Sequence, residues 1–288
     1  MSAPTKLAGF AALLALLLGG GAVAGATLGP DREGSQPPKM AGHGDTPAMD
    51  GMDGGAHPVR GLAAAEDGLR LELATPELRR GRDERLAFTI TGEDGLPVGD
   101  FDVTHTKRMH LIVVRRDMTG FQHLHPTQNP DGTWTTPLRL DEAGSYRVFA
   151  DFSHDGEPRT LATDLRVDGT ADLQALPAPA TESRTADGYD VRLTAGDAHP
   201  GDEADLRFEI TRDGRPVHTD PYLGAGGHLV ALREGDLAFL HVHPTEHGEE
   251  EGIGFDATFP TEGRYRLFLQ FKADGRVHTA AFTEEVTR

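Results

Sequence analysis

Two stretches of this chain are copies of one another, and that repeat limits the fold more than any other feature. "ERLAFTI" (Glu84–Ile90) matches "ADLRFEI" (Ala204–Ile210), and "EAGSYRVFADF" (Glu142–Phe152) matches "TEGRYRLFLQF" (Thr261–Phe271). "LRLEL" at Leu69 matches "YDVRL" at Tyr189, and "DGLPV" matches "DGRPV". The offset drifts between 118 and 120, as small turn insertions would cause. The 288 residues therefore divide into a module at 67–168, a linker at 169–183 and a second module at 184–288.

Within each copy, short runs alternate apolar and polar residues and end in Gly, Asp or Pro turns. That is the pattern of half-buried strands. About seven such runs per copy, from a count on the pattern, point to an all-β chain of two tandem immunoglobulin-like antiparallel β-sandwiches. Gly144-Ser145-Tyr146 and Gly263-Arg264-Tyr265 sit where that fold places a tyrosine whose hydroxyl ties back to the chain. Trp134, the single tryptophan, is expected in the core.

Histidine is unusually frequent, at 14 residues, and its placement follows the repeat. His110, His123 and His125 recur as His228, His241 and His243, each at an offset of 118. The copies have diverged at most positions, yet these three are shared. His105 aligns with Leu223 and His154 with Lys272, while His199, His218, His247 and His278 lack counterparts. A hairpin turning at Asp117-Met118 or Gly235-Asp236 sets His110 opposite His125, and His228 opposite His243. Side chains alternate along a strand, so each trio shares one face. Facing Cβ atoms lie ~5 Å apart and diagonal ones ~7–8 Å, and imidazoles so placed can converge on one ion. The expectation is one tri-histidine metal site per module. Asp102 and Asp220 share the 118 offset and are candidates for an added carboxylate or an orienting bond.

Composition narrows the chemistry. With no cysteine, Cys-type zinc sites, iron–sulfur clusters, blue copper and thiol catalysis are excluded. A net charge of −18 repels a phosphate backbone, so no nucleic-acid partner is expected. Residues 1–30 carry Lys6 and then no charge up to Pro30. They read as a signal peptide or an N-terminal membrane anchor formed by an apolar helix. Either places the remainder outside the cytoplasm, secreted or held to the membrane. Residues 31–66 read as a flexible linker. Met40, His43, Met49, Met52 and His57 within it offer thioether and imidazole groups that suit a soft ion.

"MHLIVVRRDMTGFQHLHP" and "YLGAGGHLVALREGDLAFLHVHP" resemble segments of bacterial, actinobacterial-type envelope proteins of the heavy-metal-binding, YtkA-like kind, β-sandwich domains similar in style to the copper-binding CopC type. The resemblance covers nearly all the chain after Ala64. It implies envelope metal handling by sequestration or delivery, with an envelope metal transporter or chaperone as partner. The affinity order puts Cu(II) above Zn(II) for imidazole ligands, so copper is the expected ion and zinc the alternative. The reading is a binding protein, not an enzyme. A metal-free tandem scaffold or adhesion module is the rival. A cupin-like metalloenzyme fits less well, because His247-Gly248 stand where that motif requires a glutamate.

Overall fold

A computed structural model describes residues 59–288, apart from 197, 241 and 246–251. The expected N-terminal helix and residues 31–58 of the expected linker lie outside the described residues, as do His241 and His247. The rest of that linker is built into the first module, with Ala65–Glu66 in a strand and Gly61 N bonded to Thr160 O. Among the described residues, no helix is long and apolar enough to cross a membrane.

The first copy runs β1 (Ala65–Glu66), β2 (Leu69–Leu73), β3 (Glu77–Leu78), β4 (Asp83–Thr91), β5 (His110–Arg115), β6 (Gln122–Leu124), β7 (Thr127–Gln128), β8 (Trp134–Arg139), β9 (Gly144–His154) and β10 (Glu157–Val167). The second runs β11 (Glu182–Arg184), β12 (Asp190–Ala195), β13 (Glu203–Arg212), β14 (Arg215–Pro216), β15 (His228–Arg233), β16 (Phe239–Leu240), β17 (Val242–Thr245), β18 (Ile253–Thr258), β19 (Gly263–Ala273) and β20 (Arg276–Val286). Ten strands per copy among the described residues exceed the expected seven. The surplus are pieces of two or three residues, too short to leave an alternation pattern.

Each copy is a two-sheet sandwich. In the first, β1-β2-β4-β8-β7 faces β3-β10-β9-β5-β6; in the second, β11-β12-β13-β18-β17 faces β16-β15-β19-β20. All the pairings are antiparallel except that of β3 with β10. The inward residues of each copy form its core, including Leu86, Phe88 and Leu111 in one and Leu206, Phe208 and Leu229 in the other. Trp134 is buried in the first core, in edge contact with Phe101. The two tyrosine corners are present: the Tyr146 hydroxyl donates to Glu142 O at 2.9 Å and the Tyr265 hydroxyl to Thr261 O at 2.7 Å.

A third apolar cluster joins the copies, which belong to one compact unit. It holds Ile112, Val114, Met118, Phe149 and Ala162 from the first, and Val230, Leu232, Leu237, Phe239 and Phe268 from the second. Successive side chains on a strand point to opposite faces. Leu111 and Val113 therefore enter their own core, while Ile112 and Val114 meet the other module. All six residues of β5 are buried as a result. The contacts are reciprocal. Phe121 of the first copy stacks on Phe268 of the second at 4.1 Å, and Phe149, the equivalent of Phe268, meets Phe239, the equivalent of Phe121, at 5.6 Å. The segment joining the copies is tied down, with Arg115 Nη2 donating to Asp172 O and Gln174 N to Asp117 Oδ2.

Candidate metal centre between the modules

The histidine-bearing face of each central hairpin is the face that meets the other module. His110 opens β5 on the same side as Ile112 and Val114, and His228 opens β15 on the same side as Val230 and Leu232. Gly227 lets β15 enter beside β19, because a Cβ there would lie 2.9 Å from Gln270 O. His123 lies within β6, opposite Ile112, and His125 follows that strand. When the two faces close, the equivalent rings His110 and His228 stack, with centroids 5.4 Å apart and planes 9° from parallel. His123 lies 4.7 Å from His228, and His125 4.8 Å from His123, both between centroids.

Hairpin register follows the alternation argument, with Leu111 opposite Leu124 and Ala231 opposite Leu240. The turns themselves differ from the expected two-residue loops. Arg115 N bonds to Thr119 O around Met118 at φ 63°, and Gly120 at φ 63° takes up one more residue before the register resumes. In the second copy Arg233 N bonds to Ala238 O around a four-residue loop, with Leu237 at φ 60°. Clamps from Arg115 to Asp117 and from Arg233 to Asp236 fix both loops.

The histidines do not divide by module. Among the described residues, His110, His123 and His228 bring one ring nitrogen each within 4.8 Å of one another. His125 stands beside them. His243 does not face His228 in a shared sheet. The chain changes sheets after Leu240, and β17 pairs with β18, placing His243 opposite Asp256 at an exposed position. It remains near enough for its charge to act on His105. His241 lies outside the described residues. Asp102 is a turn brace, accepting from Ser153 Oγ at 3.1 Å and Gly156 N at 2.9 Å. Asp220 is exposed and bridges by its backbone to Lys272.

Hydrogen bonding leaves two nitrogens facing each other. His110 Nε2 is 3.1 Å from Thr104 O, and His123 Nδ1 is 2.7 Å from Gln270 Oε1. If each ring donates its one N–H to that oxygen, His110 Nδ1 and His123 Nε2 both present lone pairs, 3.0 Å apart. Metal–nitrogen bonds of ~2.0–2.1 Å set adjacent ligand nitrogens about 2.9–3.3 Å apart, so the spacing is that of one edge of a coordination shell. Carbonyl partners on the far nitrogens are also how metal-ligating histidines are oriented. Among the described residues, His125 Nε2 is buried without a hydrogen-bond partner. The residues thus fit a cation. Closing the trio from 4.8 Å to such a shell draws the rings inward by roughly 1 Å.

Every ring of the cluster is biased toward the neutral form that ligates. Burial, reinforced by the charge of His110, pushes His123 down to about 3 and His125 down to about 4. Burial, then the neighbouring rings, holds His228 well below the ordinary value. Burial lowers His110 against the opposing bond to Thr104, and lowers His105 together with the charge of His110. Asp151 lines the same cavity as His110 and His228. Burial raises its carboxyl against the bond from Thr160 Oγ1 at 2.7 Å.

Sequence reasoning missed three residues that surround the trio. Gln270 carries no signal of its own, since its partner is in the other module. Asp151 is its equivalent in the repeat, but the two differ in type. His105 fails the test of being shared, because its counterpart is Leu223.

The fold and the site define a tandem immunoglobulin-like protein with a histidine cluster enclosed between its modules. The sequence matches the family described as Domain of unknown function (DUF8832) at residues 63–169 and again at 184–288, and the chain belongs to that family. No curated protein matches. Among solved structures, Salmonella alpha-2-macroglobulin reacted with methylamine is 15% identical with a TM-score of 0.28, over 80% of this chain and 15% of that one. FdeC, an Escherichia coli adhesin, is 14% identical at 0.26, over 78% of this chain and 66% of its own. The Yersinia pseudotuberculosis adhesin InvE is 12% identical at 0.23, over 76% and 59%. The chain thus spans less than two thirds of the macroglobulin and InvE chains, and similarities this low carry no argument about function.

Proposed function

We propose that this protein binds one divalent metal ion between its two modules, held by His110, His123 and His228 with His125 in reserve. The observation that carries this is the pair of facing nitrogens, His110 Nδ1 and His123 Nε2, at 3.0 Å, with an oxygen within reach of the other nitrogen of each ring. Two lone pairs at that distance repel unless a proton or a cation lies between them, and burial disfavours the charged ring. The site is built from neutral imidazoles, for which Cu(II) ranks above Zn(II). Asp151 supplies the nearby acidic group that a buried dication needs. The role is binding, by sequestration or delivery, and not catalysis. The apolar segment at 1–30 supports an extracytoplasmic location, and an envelope metal transporter or chaperone is the fitting partner.

Titration calorimetry of the full chain with Cu(II) and with Zn(II), paired with elemental analysis after desalting, tests the proposal. One ion per chain is expected, not two. His228→Ala should abolish that ion although the other ligands are on the first module, and His243→Ala should leave it. If wild type takes up neither ion at micromolar concentration and neutral pH, the tandem scaffold reading replaces this one.

A further inference from the structure

The counterpart of His105 in the second module is Leu223, not a histidine, and both sit in a turn at positive φ. Thr104 and Lys107 exchange backbone hydrogen bonds of 2.8 and 3.0 Å, closing a two-residue turn through His105 and Thr106. Both residues have positive φ, 49° and 67°. This turn normally takes Asn-Gly or Gly-Gly, and a β-branched residue there is an outlier. The second module closes the same turn with Leu223 and Gly224 at φ 54° and 86°, so one of its two positions is relieved by glycine. Strain of this kind persists where surrounding structure enforces it, and it concentrates at functional sites.

The strained turn does two things. The carbonyl of Thr104 orients His110. His105 is an exposed residue whose ring is turned toward the cluster, 6.1 Å from His110 and 5.9 Å from His228 between centroids. A cavity of about 70 Å3 lies against these three rings and is lined also by Asp151 and Lys107. That volume holds about two waters at ~30 Å3 each. The buried His110, the largely buried His228 and the solvent-exposed residue His105 all line it.

We propose that this cavity is the route by which the ion enters and leaves the buried trio, with His105 as the relay ligand at its mouth. This rests on the metal-binding reading above. A hydrated cation exchanges one water for a nitrogen of His105, then passes inward as His110 and His228 replace further waters and His105 lets go. Because His105 acts on the path and not in the final shell, its loss should change both rates equally and leave the equilibrium where it was.

Stopped-flow mixing of the full chain with Cu(II), followed by the d–d absorption of the bound ion, measures uptake; mixing the loaded chain with EDTA measures release. His105→Leu is a mild replacement, since Leu223 occupies the equivalent backbone conformation. Both rates should slow by the same factor, with one Cu(II) still bound at unchanged affinity. Thr106→Gly keeps the ring and eases the turn, and should retain near wild-type rates. Unchanged rates in His105→Leu would overturn the relay and leave the site intact. Loss of equilibrium binding in that variant would also overturn it, by making His105 a resident ligand. A wild type that binds no Cu(II) would remove the site itself, and the relay with it.

Discussion

Acid should destabilise the metal-free protein through the rings between its modules, and His123 gives the size of the effect. Its folded pKa is lowered to about 3 from an unfolded value of 6.5. A depressed folded value means that the unfolded chain binds the proton more readily. Stability from this ring is therefore complete above pH 6.5 and declines as pH falls from 6.5 toward 3. At pH 5 the unfolded ring is about 1.5 units below its pKa while the folded ring is still neutral, which costs about 2 kcal/mol. His228, His110, His125 and His105 shift in the same direction. Asp151 and Glu284 run the other way, since burial raises them. Comparing wild type with His123→Phe cancels Asp151 and Glu284, whose shifts do not involve His123. Chelator-treated protein would be unfolded in urea at pH 7.5 and at pH 5.0. The stability difference between the two pH values should be smaller in the variant by about 2 kcal/mol. If wild type and variant lose the same stability between the two pH values, His123 is not held neutral by burial between the modules.

Gln270→Leu removes the oxygen that orients His123 across the interface, and should weaken Cu(II) binding by about 10–100-fold while circular dichroism stays unchanged. Phe268→Ala opens the stacked contact with Phe121 and should cost about 3–5 kcal/mol in urea unfolding, with weaker metal binding as a side effect. Tyr265→Phe should cost about 0.5–1.5 kcal/mol by loss of the corner hydrogen bond, with no change in ion stoichiometry by calorimetry.

Much of the fold was legible because it is written twice. Alternation located the longer strands, Tyr146 and Tyr265 marked the corners, and the even register that sets Ile112 opposite His123 followed from spacing. The shared face of His110, Ile112 and Val114 was legible too. What that face meets was not, because docking one module on another leaves no local periodicity. A trace of it is present: "HLIVV" and "HLVAL" are apolar without a break, the mark of strands buried on both sides. By that pattern the histidines at the head of each run belong to an interface, and one shared histidine cluster stands in place of two separate ones. The departure of His243 was hidden for another reason. The change of sheet after Leu240 depends on where β17 finds a partner, and nothing in "LHVHPT" announces it.

The reciprocal pairing of Phe121 with Phe268 and of Phe239 with Phe149 has a consequence for how such a chain arises. An isologous contact of this kind is what a single module needs in order to dimerise with its own copy. A one-module ancestor with this face would pair in a concentration-dependent way and carry two equivalent half-sites. Fusion makes the partner permanent, at an effective concentration on the millimolar scale for a short tether. It also releases the halves from identity. One module can then keep His105 and Asp151 while the other carries Leu223 and Gln270, an asymmetry that a homodimer cannot encode.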